Sequence, residues 1–320
     1  MSFGISHIRL EDGPATRNAF GEALAEAGAS DDRIVVLDGD VHNSTMTGEF
    51  MERFPERSYN VGIAESNLIG IASGLAAAGK IPVAASFATF LLSNAFDQIR
   101  MSVAFPNLNV KLVGSHAGIS IGEDGPSQMA VEDVALATSF PGFTVIVPAD
   151  APSARAATKA LIEREGPGYL RCGRPGVPIV YTDDTEFHVG KATRLRAGDD
   201  VTIVANGIMV AMALDAAEAL AAEGVEARVL DMHTVKPLDA GAIERAANET
   251  KGIVVAEEHL CYGGLGSVVS MVVAERRPTR MAFVNIGDTY ATSGTADELL
   301  SQFGLTPDAI VDAAQRVLKD

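Results

Sequence analysis

The residues best suited to chemistry lie in one loop, from His116 to Asp133. Glycines and a proline interrupt this stretch, so it cannot form a regular helix or strand. An apolar run at 109–113 precedes it and predicts a buried strand. Open α/β sheets present their binding groups in loops at the carboxyl ends of strands, so the loop is a candidate site. Ordinary turn chemistry also explains its composition. Its polar side chains include His116, Glu123, Asp124 and Gln128.

Two further candidates precede this loop. Glu65 begins an apolar stretch that predicts a helix over 65–78, where the helix dipole favours a carboxylate at the first turn. Glu65 could therefore either stabilise the helix start or act as a functional carboxylate. Phe87 and Phe90 are three residues apart and would share one face of a helical turn. Core packing is the usual role of phenylalanine, so an aromatic binding wall is an alternative that the spacing alone does not decide.

Composition limits the classes of function. The 320 residues carry a formal net charge of −17, which opposes non-specific binding to nucleic acid or anionic membranes but allows a local cationic pocket. The cysteines, Cys172 and Cys261, give neither a disulfide framework nor metal-ligand spacing. The chain shows no signal peptide and no apolar run long enough to span a membrane. We therefore expect a cytoplasmic protein with no metal site of its own.

Strands and helices alternate along the chain. Strands are predicted at 34–37, 80–85, 109–113, 144–147 and 168–171, and helices at 14–27, 65–78, 87–103, 134–137 and 151–164. A segment rich in Pro, Gly and Asp, 174–186, predicts a linker. Beyond it strands are predicted at 201–205, 227–230, 252–256 and 282–285, and helices at 209–222, 239–248, 266–274, 295–303 and 307–318. This alternation predicts two doubly wound three-layer α/β domains with mainly parallel sheets, over 1–180 and 187–320.

Six short stretches, in this order, carry a family resemblance. They are Ala15–Arg17, Asp38–Val41, Gly62–Ser66, Ser86–Phe90, His116 and Gly122–Pro126. Together they make nearly the whole chain similar to the second and third domains of transketolases. The resemblance implies a pyrimidine-binding domain for thiamine diphosphate over 1–180, followed by a transketolase C-terminal domain over 187–320.

One transketolase feature is missing from the sequence. Transketolases begin with a diphosphate-binding domain whose Gly-Asp-Gly…Asn motif holds Mg²⁺ and the cofactor's phosphates, and this chain has no Gly-Asp-Gly. The chain thus resembles the β-type subunit of a split transketolase. The resemblance implies an N-terminal-half partner subunit that carries the diphosphate site with Mg²⁺ or Ca²⁺. It also implies assembly as a dimer of heterodimers, and activity only with the partner.

The resemblance assigns cofactor contacts to several residues. Glu65 corresponds to the carboxylate that bonds N1′ of the aminopyrimidine, so it is a catalytic candidate. A buried carboxyl suits this proton exchange because burial raises its pKa. Phe87 and Phe90 correspond to the aromatic wall that stacks on the aminopyrimidine. Asp40 and Val41 correspond to residues near the thiazolium ring.

Substrate contacts follow from the same resemblance. His116 corresponds to a histidine that stabilises the developing oxyanion, and Asp124 to an aspartate that binds a substrate hydroxyl. Gln128 stands where transketolases carry a second histidine, and an amide cannot carry a proton. The sugar-phosphate site corresponds to Arg17, Ser44 and an arginine of the segment 170–174, for which Arg171 is the candidate and Arg174 the alternative.

The implied activity is transfer of a two-carbon ketol unit between sugars, which we expect to be phosphorylated. Alternatives are a β-like subunit of a 2-oxoacid dehydrogenase E1, a 1-deoxyxylulose-phosphate synthase-like enzyme, and a non-catalytic binding homologue. In the second domain, Glu257–His259 lacks metal-ligand spacing, and Gly263–Gly266 does not match a dinucleotide motif. We expect this domain to support the site and to make dimer contacts.

Overall fold

The computed structural model describes residues 12–182 and 186–319. It contains a seven-stranded sheet, a five-stranded sheet and a small two-stranded sheet. Most neighbouring strands are parallel. The predicted class, α/β with two domains and mainly parallel sheets, is confirmed. Along the part of the chain that the structure describes, no helix is long and apolar enough to cross a membrane.

Nine of the described strands lie close to the positions given above, whereas those at 12–15, 176–178, 193–196 and 234–236 were not predicted. The strand bounds are β1 Asp12–Ala15, β2 Ile34–Asp38, β3 Ser58–Asn60, β4 Ile81–Phe87, β5 Lys111–Ser115, β6 Thr144–Ile146, β7 Gly168–Arg171, β8 Gly176–Pro178, β9 Thr193–Arg196, β10 Val201–Ala205, β11 Ala227–Asp231, β12 Thr234–Lys236, β13 Gly252–Ala256 and β14 Arg280–Val284. The larger sheet has the order β12-β6-β7-β5-β4-β2-β3, and the second has the order β14-β13-β10-β11-β9. Strands such as β2 are buried along their whole length, which explains their uninterrupted apolar sequence.

The helices cover the faces of these sheets. Their bounds are α1 Thr16–Ser30, α2 His42–Thr45, α3 Gly48–Arg53, α4 Glu65–Ala77, α5 Ala88–Asn94, α6 Phe96–Gln98, α7 Asp133–Ser139, α8 Ala151–Glu163, α9 Met209–Ala222, α10 Ala240–Glu249, α11 Leu265–Arg276, α12 Ala296–Gln302 and α13 Pro307–Leu318. Short 3₁₀ turns lie at Pro55–Arg57 and Ile119–Ile121, and a π-helix at Ile99–Ala104. After α4, Gly79 has a φ of +86°, as expected of a residue that follows a helix end.

The continuous helix predicted over 87–103 is wrong. Phe87 is the last residue of β4, where it is paired with Ser115 in the parallel ladder, so the helix starts one residue later. The helical path is then interrupted at Ala95, whose φ of −102° and ψ of 14° lie outside the α-helical range. Sheet pairing with a distant strand therefore decides the conformation of Phe87, which helical spacing could not reveal.

Two predicted boundaries also differ. Pro14 lies in β1 rather than at a helix start, and α1 begins at Thr16. The segment 174–186, predicted as a linker, contains β8, which is paired antiparallel with β1. Both strands contain proline, which is tolerated here because the two-stranded sheet has only edge strands.

The two domains share one sheet. Strand β12, which belongs to the second half of the chain, lies antiparallel beside β6 at the edge of the seven-stranded sheet. Lys236 Nζ in β12 donates hydrogen bonds to the carbonyl oxygens of Thr138 (2.8 Å) and Phe140 (2.6 Å). One apolar core includes residues of both halves, such as Leu112 and Ile253. The second domain is therefore packed firmly against the first.

Candidate active site

Polar residues gather at the carboxyl ends of β2, β4 and β5, which are neighbours in the larger sheet. These ends carry Asp38, the pair Ser86–Phe87, and the pair Ser115–His116. Parallel strands bring their carboxyl ends to one edge of a sheet, which is where α/β proteins bind ligands. The sequence predicted the loop after β5 as a candidate site, and the family resemblance added residues that follow β2 and end β4.

Asp38 organises the first of these loops. Its side chain is fully buried and accepts hydrogen bonds from the Val41 amide (2.6 Å), Thr45 Oγ1 (2.6 Å) and Thr47 Oγ1 (2.8 Å). A buried carboxylate with three donors is well compensated for the loss of water. Sequence analysis did not assign this role, although an aspartate at the end of an apolar strand suggests such a partner for a loop.

The same loop carries three predicted site residues. Asp40 is exposed, has a φ of +67° and accepts a hydrogen bond from Asn60 Nδ2 at 2.7 Å. Val41 follows it and is half-buried. Ser44 contacts Arg17 through its backbone carbonyl, which accepts from Nη1 at 2.9 Å. The loop thus joins the strand edge to the first turn of α1.

Glu65 is the first residue of α4 and is 4% exposed. Its Oε1 accepts a hydrogen bond from Ser86 Oγ at 3.1 Å, and Asn94 Nδ2 lies 3.5 Å from Oε2. Both donors are uncharged and come from distant segments. Ser86 begins the stretch Ser86–Phe90 that carries the resemblance, but the sequence assigned no role to Ser86 or Asn94. The carboxylate can accept further hydrogen bonds. Next to this buried group, Ile63 is 82% exposed.

Aromatic rings connect this carboxylate region to His116. Phe87 lies in a stack with the His116 imidazole, with centroids 4.0 Å apart and planes 15° apart. Phe90 is nearly parallel to Phe87, at a centroid distance of 6.2 Å. Both phenylalanines are half-buried, so one part of each ring is open to a ligand. The structure thus brings the predicted aromatic pair together with the predicted histidine.

His116 has an unusual backbone and a suppressed charge. Its φ is +59°, and its Nδ1 lies 2.9 Å from Ser115 Oγ. Burial lowers the pKa of the imidazole to about 3, and the positive charges of Arg17 and Arg174 contribute. The ring is therefore neutral at physiological pH. Arg17 Nη1, which can only donate, lies 3.4 Å from Nε2.

A cavity of about 320 Å³ lies beside these arginines. It is lined by Arg17, Ser120, Ile121, Glu123, Arg174, Pro175, Thr295, Ala296 and Asp297. Burial lowers the pKa of Arg17, and the like charge of Arg174 adds to this effect. Arg17 Nε is buried without a hydrogen-bond partner among the described residues. Two guanidinium groups with spare donors can bind an anionic group.

Arg174 is held at this cavity by the loop after His116. Its Nη1 donates to the carbonyl of Ile121 at 2.6 Å and lies 3.4 Å from Glu123 Oε2 and 3.9 Å from Asp124 Oδ2. Asp124 is thus near the cavity on its exposed side. The predicted loop residues and the arginine therefore meet in one place.

The geometry does not favour Arg171 as the phosphate ligand. Its guanidinium is buried and donates to Asp133 Oδ2 (2.8 Å), the Ala130 carbonyl (3.1 Å) and the Glu258 carbonyl (3.0 Å). These protein partners take up three of its five N–H donors, whereas Arg174 lines the cavity. Sequence spacing could not separate two arginines whose partners come from distant segments.

Gln128 and the second-domain motif have hydrogen bonds of their own. Gln128 is half-buried and accepts a hydrogen bond from the neighbouring Ser127 hydroxyl at 2.6 Å. Glu257 accepts from the first amides of α11, those of Leu265 (2.7 Å) and Gly266 (2.8 Å). This carboxylate occupies the helix start that the glycine run opens. No group of potential metal ligands is present within residues 12–182 and 186–319.

Comparison with known proteins decides the family. The model of the transketolase pyrimidine-binding domain matches residues 12–179, and that of the transketolase C-terminal domain matches residues 190–310. The chain belongs to the transketolase family.

Individual transketolases agree with this assignment. The 6-deoxy-6-sulfo-D-fructose transketolase subunit SqwH of Clostridium sp. (strain MSTE9) is 43% identical over 94% of both chains. A putative transketolase C-terminal section of Methanocaldococcus jannaschii is 40% identical over 95% of both chains. A solved split-gene transketolase, described as an inactive β4 tetramer, is 47% identical with a TM-score of 0.90, covering 96% of this chain and 99% of the other.

Proposed function

We propose that this chain is the C-terminal, β-type subunit of a split transketolase and transfers a two-carbon ketol unit between sugars. One observation carries the proposal. The buried Glu65 region, the Phe87 ring, the neutral His116 and the arginine-lined cavity follow one another along a single strand edge. The relatives named above support it because they are subunits or sections of transketolases.

The residues present fit the pyrimidine half of thiamine diphosphate. A buried carboxylate with free lone pairs suits a protonated ring nitrogen, and Phe87 with Phe90 offers an aromatic surface. When bound, thiamine diphosphate would supply the carbanion stabilisation that ketol transfer requires. Glu65 would hold the proton at the ring nitrogen, and the phenylalanines would orient the ring and exclude water. Asp40 and Val41 would lie toward the thiazolium.

The end of the site that binds substrate would recognise the sugar by its charge. Arg17 and Arg174 would bind a terminal anionic group of the sugar, either a phosphate or the sulfonate that the Clostridium relative's name indicates. We propose Arg174 in this role in place of Arg171, with Ser44 at the edge of the site. His116 would donate from Nε2–H to the substrate oxygen that gains negative charge, with Nδ1 accepting from the Ser115 hydroxyl and Arg17 turned from Nε2 toward the anionic group.

Two residues would tune this recognition. Asp124 lies beside Arg174 and would accept a hydrogen bond from a substrate hydroxyl. Gln128 would contribute hydrogen bonds only, because an amide does not transfer protons at neutral pH. Selection among sugar stereoisomers would therefore depend on the Asp124 carboxylate and the Gln128 amide. His116 would stabilise the negative charge that develops on the substrate oxygen.

The cofactor's diphosphate would be held by a second subunit. We propose a diphosphate-binding partner carrying Mg²⁺ or Ca²⁺, in a dimer of heterodimers. The exposed Ile63 beside the buried Glu65 supports a covering partner at this edge. The description of the solved relative as inactive in its β4 form also supports it. We place the boundary of the pyrimidine-binding and C-terminal domains between 180 and 187.

The test is reconstitution of the complex. The protein, purified untagged from its source, is examined by native mass spectrometry for a second subunit and bound thiamine diphosphate. The complex is then assayed for ketol transfer between sugar phosphates. We expect Glu65→Gln to lower kcat by about 100-fold or more, since positioned proton transfer contributes about that much. The matched control is Glu49→Gln, which alters an exposed glutamate in the first turn of α3.

Two outcomes would contradict the proposal. One is a homodimer that binds neither a partner nor thiamine diphosphate, which would favour a non-catalytic homologue. The other is full activity in Glu65→Gln. Activity with a 2-oxoacid and a lipoyl acceptor, without ketol transfer, would instead indicate the 2-oxoacid dehydrogenase alternative.

A further inference from the structure

The wall of the arginine cavity contacts the second domain, whose Thr295, Ala296 and Asp297 also line the cavity, and one of these contacts is a buried hydrogen bond. The Ser120 amide, in the 3₁₀ turn after His116, donates a 2.6 Å hydrogen bond to Glu258 Oε1. Glu258 follows β13 in the second domain and is almost fully buried. A side chain of the second domain thus accepts a backbone hydrogen bond from a first-domain loop that lines this cavity, which both domains form.

Gly118 permits this close approach. A Cβ at this position would lie 2.1 Å from the Glu258 carboxyl carbon and within 2.3 Å of its oxygens, so any side chain would displace the carboxylate. Gly118 also has a φ of +84°, which other residues adopt with strain. Its amide donates to the Ala130 carbonyl at 2.8 Å. The glycine in this loop therefore serves the contact with Glu258.

Arg171 stabilises the Glu258 carboxylate in this buried position. Burial raises the pKa of Glu258, whereas the charge of Arg171 and the hydrogen bond from Ser120 lower it. Arg171 Nη1 lies 4.0 Å from Glu258 Oε2, and its Nη2 donates to the Glu258 carbonyl. An arginine that resembles a substrate ligand in sequence thus supports a carboxylate that holds the loop.

The anchored loop in turn holds a residue of the cavity. Ile121 follows Ser120, and its carbonyl accepts the 2.6 Å hydrogen bond from Arg174 Nη1. The same loop begins directly after His116, so movement of the 3₁₀ turn would displace groups on both sides of it. Glu258 itself is absent from the lining of this cavity.

We propose that Glu258 is a positioning residue through which the second domain fixes the loop 117–122, and with it the Arg174 and His116 groups that meet substrate. This inference rests on the proposed ketol transfer, and it gives the second domain a defined part in that reaction. Glu258 acts through the backbone of Ser120 and does not touch the substrate. Loss of the anchor would therefore weaken binding of the anionic end of the sugar.

The experiment compares four variants in the assembled complex. Glu258→Ala removes the anchor, and Gly118→Ala displaces it from the loop side. Glu258→Gln keeps an acceptor oxygen and is expected to retain nearly normal behaviour. The matched control is Glu257→Ala, which alters the neighbouring buried glutamate that accepts only from α11 amides among the hydrogen bonds described. Amide hydrogen exchange over 117–122 and steady-state kinetics are measured for each variant.

We expect Glu258→Ala and Gly118→Ala to accelerate exchange over 117–122 and to raise KM for a sugar phosphate roughly tenfold or more, with a smaller change in kcat. Glu257→Ala should leave the exchange of this loop and KM unchanged. If Glu258→Ala does not fold, Gly118→Ala and Glu258→Gln still provide the comparison.

Three results would separate the possible failures. Normal loop exchange and normal KM in Glu258→Ala would overturn the positioning role. Equal effects in Glu257→Ala would also overturn it, because they would indicate general destabilisation of the second domain. Absence of ketol transfer in the wild-type complex would contradict the proposed function, and exchange at 117–122 would then still decide whether Glu258 anchors the loop.

Discussion

Two groups of polar side chains at the same edge of the seven-stranded sheet differ in the partners that the protein gives them. In the interdomain cluster, defined as Asp133, Tyr169, Arg171 and Glu258, the arginine is buried and makes hydrogen bonds to three protein groups. In the cavity cluster, defined as Arg17, His116 and Arg174, Arg17 Nε has no partner among the described residues. Occupied donors indicate a structural role, and free donors beside a cavity indicate a ligand site.

The contrast is sharpest between Arg171 and Arg174. They are separated by Cys172 and Gly173, yet the first ends β7 and faces buried carboxylates, while the second lies beyond the strand at the cavity. The Gly173 amide donates to Thr16 Oγ1 at 2.8 Å, which turns the chain toward the first turn of α1. Similar residue types close in sequence can therefore have different functions, because their partners are supplied by different segments.

The largest expected effect is on stability, from Arg171→Ala. Removing this arginine leaves Asp133 and Glu258 buried with their charges uncompensated. Breaking a buried pair in this way costs about 3–5 kcal/mol, so the free energy of unfolding should fall by that amount. Urea unfolding of the purified chain measures it. A loss below about 1 kcal/mol, the value typical of exposed pairs, would contradict the structural role of the interdomain cluster.

The complementary change, Arg174→Ala, should affect binding instead. Hydrogen bonds to charged groups contribute about 1.5–3 kcal/mol, so KM for a sugar phosphate should rise roughly 10- to 100-fold. Stability should change by no more than about 1 kcal/mol because Arg174 is partly exposed. Kinetics with a phosphorylated and an uncharged sugar separate charge recognition from general damage. Arg155→Ala, which alters a surface ion pair with Glu22, is the control.

An equal loss of kcat/KM for the charged and uncharged sugars in Arg174→Ala would contradict the anion-binding role. A larger loss of stability than in Arg171→Ala would reverse the comparison between the two clusters. The second result would place Arg174, rather than Arg171, among the residues that hold the domains together.

The smallest expected effect concerns the charge of His116. Its pKa of about 3 lies below the ordinary value of 6.5, because burial and then Arg17 and Arg174 disfavour the imidazolium. Its contribution to stability is therefore present above about pH 6.5 and is lost as the pH falls toward 3. The NMR signals of the His116 imidazole should therefore not shift between pH 5 and 8. Arg174→Gln should raise this pKa, whereas a wild-type titration near 6.5 would show that His116 is solvated.

Much of the architecture could be predicted from local patterns. Apolar runs such as Ile34–Leu37 identified the strands, because the burial of a strand is encoded in its local sequence. The strand edge that carries Phe87 and His116 was also predictable, since parallel strands place their carboxyl ends together. Local patterns failed at Phe87, where pairing with β5 extends the strand, and at β8 and β12, whose partners are distant in sequence.

The sequence by itself determined the alternating α/β order, the motifs that resemble transketolase, and the set of candidate residues. Only the tertiary structure decided which candidates share a site. Arg171 and Arg174 have the same side-chain chemistry. Only Arg171 donates hydrogen bonds to Asp133 and Glu258, which lie 38 and 87 positions away from it in the sequence. A guanidinium acquires its role from groups that folding brings within hydrogen-bond distance, and no local spacing specifies those groups.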